Sequence, residues 1–150
     1  MASGAVSAAI EDFLKASWTA TLLSLENDNK ATDGTVLPPV NSASESIAFV
    51  AVSFTGRTYQ QVSLGASQQK DNRWDEEGVI FIDVLVPINT GSRDARTYAK
   101  SLCDLFRGLM LLSDTLEFRA ASIGEGVKSD KYSGNYFSIP VDIDWRRVEA

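Results

Sequence analysis

Asp142 and Asp144 stand two residues apart in a run where apolar and polar side chains alternate, so both carboxylates fall on one face of a strand. Side by side they could ligate a metal ion or divide acid and base roles. The same spacing also describes a solvated strand face guarded by charge, which is the reading adopted here. Asp83 lies among apolar neighbours, and a carboxylate buried there needs a partner unless its strand emerges at an interface. Cys103, the single cysteine, follows Leu102 in a helical pattern, where it acts as a small hydrophobe. As a nucleophile it would need a base, which this chain could offer only as lysine or a carboxylate. The run Gly124-Glu125-Gly126-Val127-Lys128-Ser129 shares residue types with phosphate-binding loops. It lacks their Gly-Lys-Ser/Thr order and their four-residue glycine spacing, so no phosphate site is expected. No catalytic, cofactor or metal site is assigned, and the expectation is a protein that is not an enzyme.

The absences narrow the field further. The 150 residues contain no histidine, which removes imidazole bases, histidine triads and histidine metal ligands together. A lone cysteine makes neither an internal disulfide nor a multi-cysteine zinc site, so stability must come from an apolar core. With 44% hydrophobic and 23% charged residues, the chain suits one soluble globular domain over residues 1–150. Twenty acidic against 14 basic residues, a net charge of −6, disfavour a protein whose main work is holding nucleic-acid phosphates. No run approaches the roughly 18 apolar residues of a membrane span, and the first residues lack a signal peptide's basic and apolar segments. Neither membrane insertion nor secretion is expected.

The elements that would position these residues can be read from periodicity. Val6, Ile10, Phe13 and Leu14 share one face of a helix whose other face carries Glu11, Asp12 and Lys15. Thr19 to Leu25 is β-prone and runs into an exposed loop, Glu26 to Gly34, with Pro38 and Pro39 stiffening the exit. Ser46 to Phe54 reads as a strand with two apolar faces. Thr55-Gly56-Arg57 reads as a turn into a second strand, Tyr59 to Leu64, making a hairpin. Gly65 to Glu77 is too polar to order itself alone and is expected to order on a partner.

Gly78 to Pro87 is the strongest strand, central by its patterning: Ile80, Ile82, Val84 and Val86 form one face, while Val79, Phe81 and Leu85 flank Asp83 on the other. Asn89-Thr90-Gly91-Ser92 offers capping side chains before a helix from Arg93 to Arg107, closed by Gly108. Leu116 to Ile123 is a further strand, Gly124 to Gly134 a glycine-punctuated loop, and Asn135 to Trp145 a final strand. In that strand Phe137, Ile139, Val141, Ile143 and Trp145 oppose Tyr136, Ser138, Pro140, Asp142 and Asp144. Pro140, without an amide hydrogen, favours an edge or a bulge. The class expected is α+β, a mostly antiparallel sheet with two helices packed on one face.

In this order, three segments resemble the tail terminator family of long-tailed bacteriophages and the related tail-completion proteins. They are the small-residue amphipathic helix Ala5 to Leu14, the strand Gly78 to Pro87 leading through Gly91 into the helix with Ala95, Ala99, Leu102 and Phe106, and the closing strand Phe137 to Trp145. The likeness covers most of the chain; the loop Glu26 to Ser46 is longer than in the simplest members. The resemblance implies a ring, usually a homohexamer, that caps the finished tail tube, stops its polymerisation and joins it to head-completion proteins. It implies residence at the head-proximal end of the virion tail, after assembly in the cytoplasm of a bacterial host. The neighbouring possibilities are another neck, head-tail connector or minor tail protein, and from other classes a monomeric binding module or a small metal- or carboxylate-dependent enzyme.

A ring needs two different contact patches per subunit. Phe81 and Asp83 on the second face of their strand, with Trp74, Tyr98 and Trp145, are candidates for contact with a second copy, the tail tube protein or the connector, because the chain holds more aromatic surface than its core must hide. The loops Glu26 to Ser46 and Ala66 to Glu77 are candidates for docking on the tube or head. Genome DNA would pass through such a ring without specific binding. Its lumen is therefore expected to be acidic or neutral, lined by carboxylates of polar loops: Asp71, Asp75, Glu76 and Glu77.

Overall fold

The computed structural model describes residues 4–28, 30–129 and 135–148. Helix α1 (Gly4–Ser17) buries Val6, Ile10 and Leu14, an apolar stripe four residues apart. After it come the short strand β1 (Leu22–Ser24), the long strands β2 (Phe49–Gln61) and β3 (Trp74–Pro87), and helix α2 (Arg93–Phe106), which buries Ala95, Ala99, Leu102 and Phe106. Strands β4 (Met110–Leu111), β5 (Leu116–Ile123), β6 (Val127–Ser129) and β7 (Tyr136–Arg147) complete one sheet. Its order is β1-β2-β3-β7-β5-β4, with β6 also beside β7. Every pairing is antiparallel except that of β1 with β2.

Both helices lie on one face, where Val6, Ile10, Ala99, Leu102 and Phe106 share a core with Ile80, Ile82, Val84, Ile139, Val141 and Ile143. Phe13 of α1 meets Phe106 of α2 edge-on at 5.4 Å, tying the two helices together. This is the α+β arrangement that periodicity predicts.

Several local expectations are corrected. Thr55-Gly56-Arg57 is not a turn. Residues on both sides of it pair with the same strand, Thr55 with Val79 and Thr58 with Glu77, and the extra residue is taken up as a bulge. The hairpin instead turns through residues 62–73, and Leu64, expected in a strand, stands 90% exposed there. That turn is ordered within the chain by a 3-10 turn at Gln69–Asp71, an Ala66 N–H bond to Asn72 Oδ1 and an Arg73 N–H bond to Ser63 Oγ. The last four residues of the expected polar loop, Trp74 to Glu77, are the first of β3.

Pro140 sits at neither an outer edge nor a bulge but inside β7, opposite Asp83. The Gly124 N–H donates to its carbonyl at 2.8 Å, so the polar side of residue 140 points away from β3. It faces the gap where β5 ends at Ile123 and β6 has not begun, and the missing amide hydrogen breaks no rung of the β3–β7 ladder. β6 itself lies within the run expected as loop; residues 130–134 of that run lie outside the described residues. Ser92 is the N-cap of α2 without a side-chain cap bond. Its carbonyl accepts from Arg96 N–H, while the Thr90 hydroxyl bonds back to Pro87.

Candidate assembly interface

With both helices on one face, the other face of the sheet needs its own cover or its own partner. On β3 the residues pointing there are Val79, Phe81, Asp83 and Leu85; on β7 they include Tyr136, Pro140, Asp142 and Asp144, with Phe81 opposite Asp142 in register. One end of this face is sealed. Phe49, Leu85 and Tyr136 bury one another beneath Leu37, and the Tyr136 hydroxyl lies 3.2 Å from the Pro39 carbonyl and 3.1 Å from that of Ile47. The long loop before β2 therefore lies over this corner. Beyond it Phe81, an aromatic ring in the middle of the sheet, is 38% exposed between half-buried Asp83 and buried Val79.

The opposite end is closed by charge. Asp75, only 1% exposed, accepts a hydrogen bond from Arg146 at 2.8 Å and lies 3.5 Å from Arg73 Nε. Arg146 Nε is 3.8 Å from Glu77. The hydrogen bond to Asp75 holds the Arg146 guanidinium above its already high usual pKa, against the desolvation that lowers it. On the helix-bearing face Glu76, 8% exposed, pairs with Arg147 at 3.6 Å. Beside that pair Tyr59 and Trp74 stack at 5.5 Å. Asp75 and Glu76 are thus buried partners of arginines rather than loop carboxylates, which corrects the expectation that both line a channel from a solvated segment. The side chain of Asp71 lies outside the described residues.

The remaining candidates divide by exposure. Phe81 is open to solvent, Asp83 is half-buried beside it, and Trp74 is half-buried in its stack. Tyr98 is half-buried against Trp18, edge-on at 6.2 Å. Trp145, 2% exposed, is a core residue whose ring covers Gly78, so it offers no surface in the single chain. Its indole N–H is buried and has no hydrogen-bond partner among the described residues.

One feature that periodicity missed is a groove of about 420 Å³ between α2 and β5. Phe106, Phe118, Ile123 and Ile143 line it with Cys103, and Lys100, Asp104 and Arg107 border it; Arg119 lies between it and a second hollow that holds Asp144. The available signal was Lys100 and Arg107, seven residues apart on the polar side of α2. A larger hollow of about 980 Å³ at the start of α2 has no aliphatic or aromatic residue among those lining it.

Chemistry is sparsely provided. Among the described residues no group of three or more Cys, Asp or Glu is placed to hold a metal ion. Burial, then the nearby Asp104 carboxylate, pushes the Cys103 thiol up, away from the thiolate a nucleophile requires. Gly124 and Gly126 are explained by packing. A Cβ at Gly124 would come within 2.6 Å of the Pro140 ring, and one at Gly126 within 2.1 Å of the Phe137 ring. Among the described residues no helix is long and apolar enough to cross a membrane.

Comparison with known proteins gives this surface a context. No curated protein matches the chain. A solved structure whose name is a bare sequence identifier, with no stated function, is 25% identical. The match covers 100% of this chain and 97% of that one, with a TM-score of 0.58. The sequence model of the family described as phage tail terminator protein matches residues 5–145. The match runs from α1 to nearly the end of β7, and the chain therefore belongs to the phage tail terminator family, structural proteins of the phage tail.

Proposed function

We propose that this chain assembles head to tail into a closed ring of six that caps the finished tail tube, stops its polymerisation and presents a surface to the head-completion proteins. The observation that carries the reading is Phe81, an aromatic ring 38% exposed on the helix-free sheet face, in a chain of the tail terminator family. A sheet face with an exposed aromatic at its middle fits a subunit contact better than a solvated wall. The loop over the Tyr136 corner, with Val36 65% and Val40 52% exposed, and the tip of the β2–β3 hairpin, with Leu64 90% exposed, supply apolar side chains for the tube and the head. The ring sits at the head-proximal end of the tail, after assembly in the host cytoplasm, and lets the genome pass without specific binding. It performs no catalysis: the chain has no histidine, and its one thiol is held away from ionisation.

Native mass spectrometry and tube-capping assays test this together. The expected result is a hexamer, formed in solution or on purified tail tubes, that halts tube growth at a fixed end. A protein that stays monomeric at every concentration and on tubes would overturn the ring. Binding to heads without any effect on tube length would favour a neck role instead.

A further inference from the structure

Phe81 with Asp142, and the groove between α2 and β5, each combine apolar surface with charge, and the charges are opposite in sign. The first is an exposed aromatic ring on the helix-free sheet face, opposite a carboxylate in register. The second has Ile123, 39% exposed, with Cys103 and Phe118 in its wall, and the cations Lys100 and Arg107 around it beside Asp104. We propose that these two surfaces form the joint between neighbouring copies of the chain. Phe81 of one subunit enters the groove of the next, and the Asp142 and Asp144 carboxylates meet its cationic border. The inference rests on the ring reading and names the surfaces that reading leaves open.

Three observations support the match. First, the two surfaces lie on opposite faces of the sheet. Ile143 belongs to the core under the helices, whereas its neighbours Asp142 and Asp144 point the other way. A contact between opposite faces of two copies cannot be a two-fold one; it is head to tail, the kind that closes rings. Second, among the described residues the cations at the groove, Lys100 and Arg107, make local pairs at the surface. Lys100 bonds Asp104, which also lines the groove, and Arg107 lies 3.8 Å from the same carboxylate, whereas Arg119 turns to Glu117 and borders a hollow with Asp144. Such pairs are weak and can exchange for partners on another subunit. Third, an apolar anchor with opposite charges at its margin is the usual anatomy of a specific contact, the anchor giving affinity and the charges orientation.

The test uses two charge reversals at exposed or half-buried positions, both checked for native circular dichroism. One carries Lys100→Glu with Arg107→Glu, the other Asp142→Lys with Asp144→Lys. Each alone is expected to raise the concentration needed for assembly by about tenfold or more, equivalent to about 1.4 kcal/mol per joint. Phe81→Ala, which leaves all charges in place, is expected to do the same. Mixed in equal amounts, the two reversals restore rings in which they alternate, because every joint then pairs either two native or two reversed surfaces. Native mass spectrometry reads that equal stoichiometry. If both reversals and Phe81→Ala assemble like the parent chain, the joint lies elsewhere and the ring reading stands. Reversals that block assembly without rescue on mixing overturn the pairing. A parent chain that never assembles removes the ring and the joint together.

Discussion

Gly78 has no room for a side chain: a Cβ there would sit 2.1 Å from the Thr55 carbonyl oxygen and 2.5 Å from the Trp145 ring. The first obstacle is backbone of the neighbouring strand, which cannot yield without opening the ladder. Gly78→Ala is therefore expected to cost about 1–3 kcal/mol by overpacking. Gly126→Ala, whose nearest neighbours are the far end of the half-buried Phe137 ring, should cost less. Urea denaturation of both variants checks this, and equal midpoints would show that the bulge beside Gly56 gives way. The reason glycine is needed at 78 was not legible in the sequence, because it depends on the register that sets Gly78 opposite both Gly56 and Trp145. The same limit hid the fate of Asp75 and Glu76. A run of charge looks like a loop until the partner strand brings Arg146 and Arg147 against it.

At the scale of elements, the core is carried by β3, β7 and α2. Ile80, Ile82, Val84, Leu102, Phe106, Ile139 and Val141 are each no more than 1% exposed. Ile82→Ala removes three carbons from the middle of that set and should cost about 2–5 kcal/mol through lost transfer energy and the cavity left behind. A neutral effect in a denaturation curve would mean that the faces of β3 are assigned the wrong way round. These three elements were legible because each has a long, unbroken apolar period that only one backbone geometry satisfies. The two- and three-residue strands β1, β4 and β6 have no period to read; they exist because a neighbour offers unpaired amides and carbonyls. The β2–β3 hairpin was misplaced for a related reason. Gly56 carries the composition of a turn, but a bulge uses the same residue to keep a long strand going.

For the whole molecule, the net charge of −6 makes any assembly of copies a poor ligand for a polyanion. The protein is expected not to retard duplex DNA in a gel-shift experiment at about 0.15 M salt, where charge steering is already screened beyond about 8 Å. Retention at that ionic strength would point to a basic surface gathered by assembly. The fold class was legible at this scale, but the strand order was not, because which strand neighbours which is decided by pairings between distant segments. That order has a consequence for biogenesis. β7 follows every other strand in the chain yet lies between β3 and β5, so the two halves of the sheet cannot meet until it has been made. A ribosome carrying a partial chain holds a hairpin and two helices without their shared centre. On the ring proposed above, the subunit would become competent only after residue 147 is translated, so nascent copies on one message would be kept from joining prematurely.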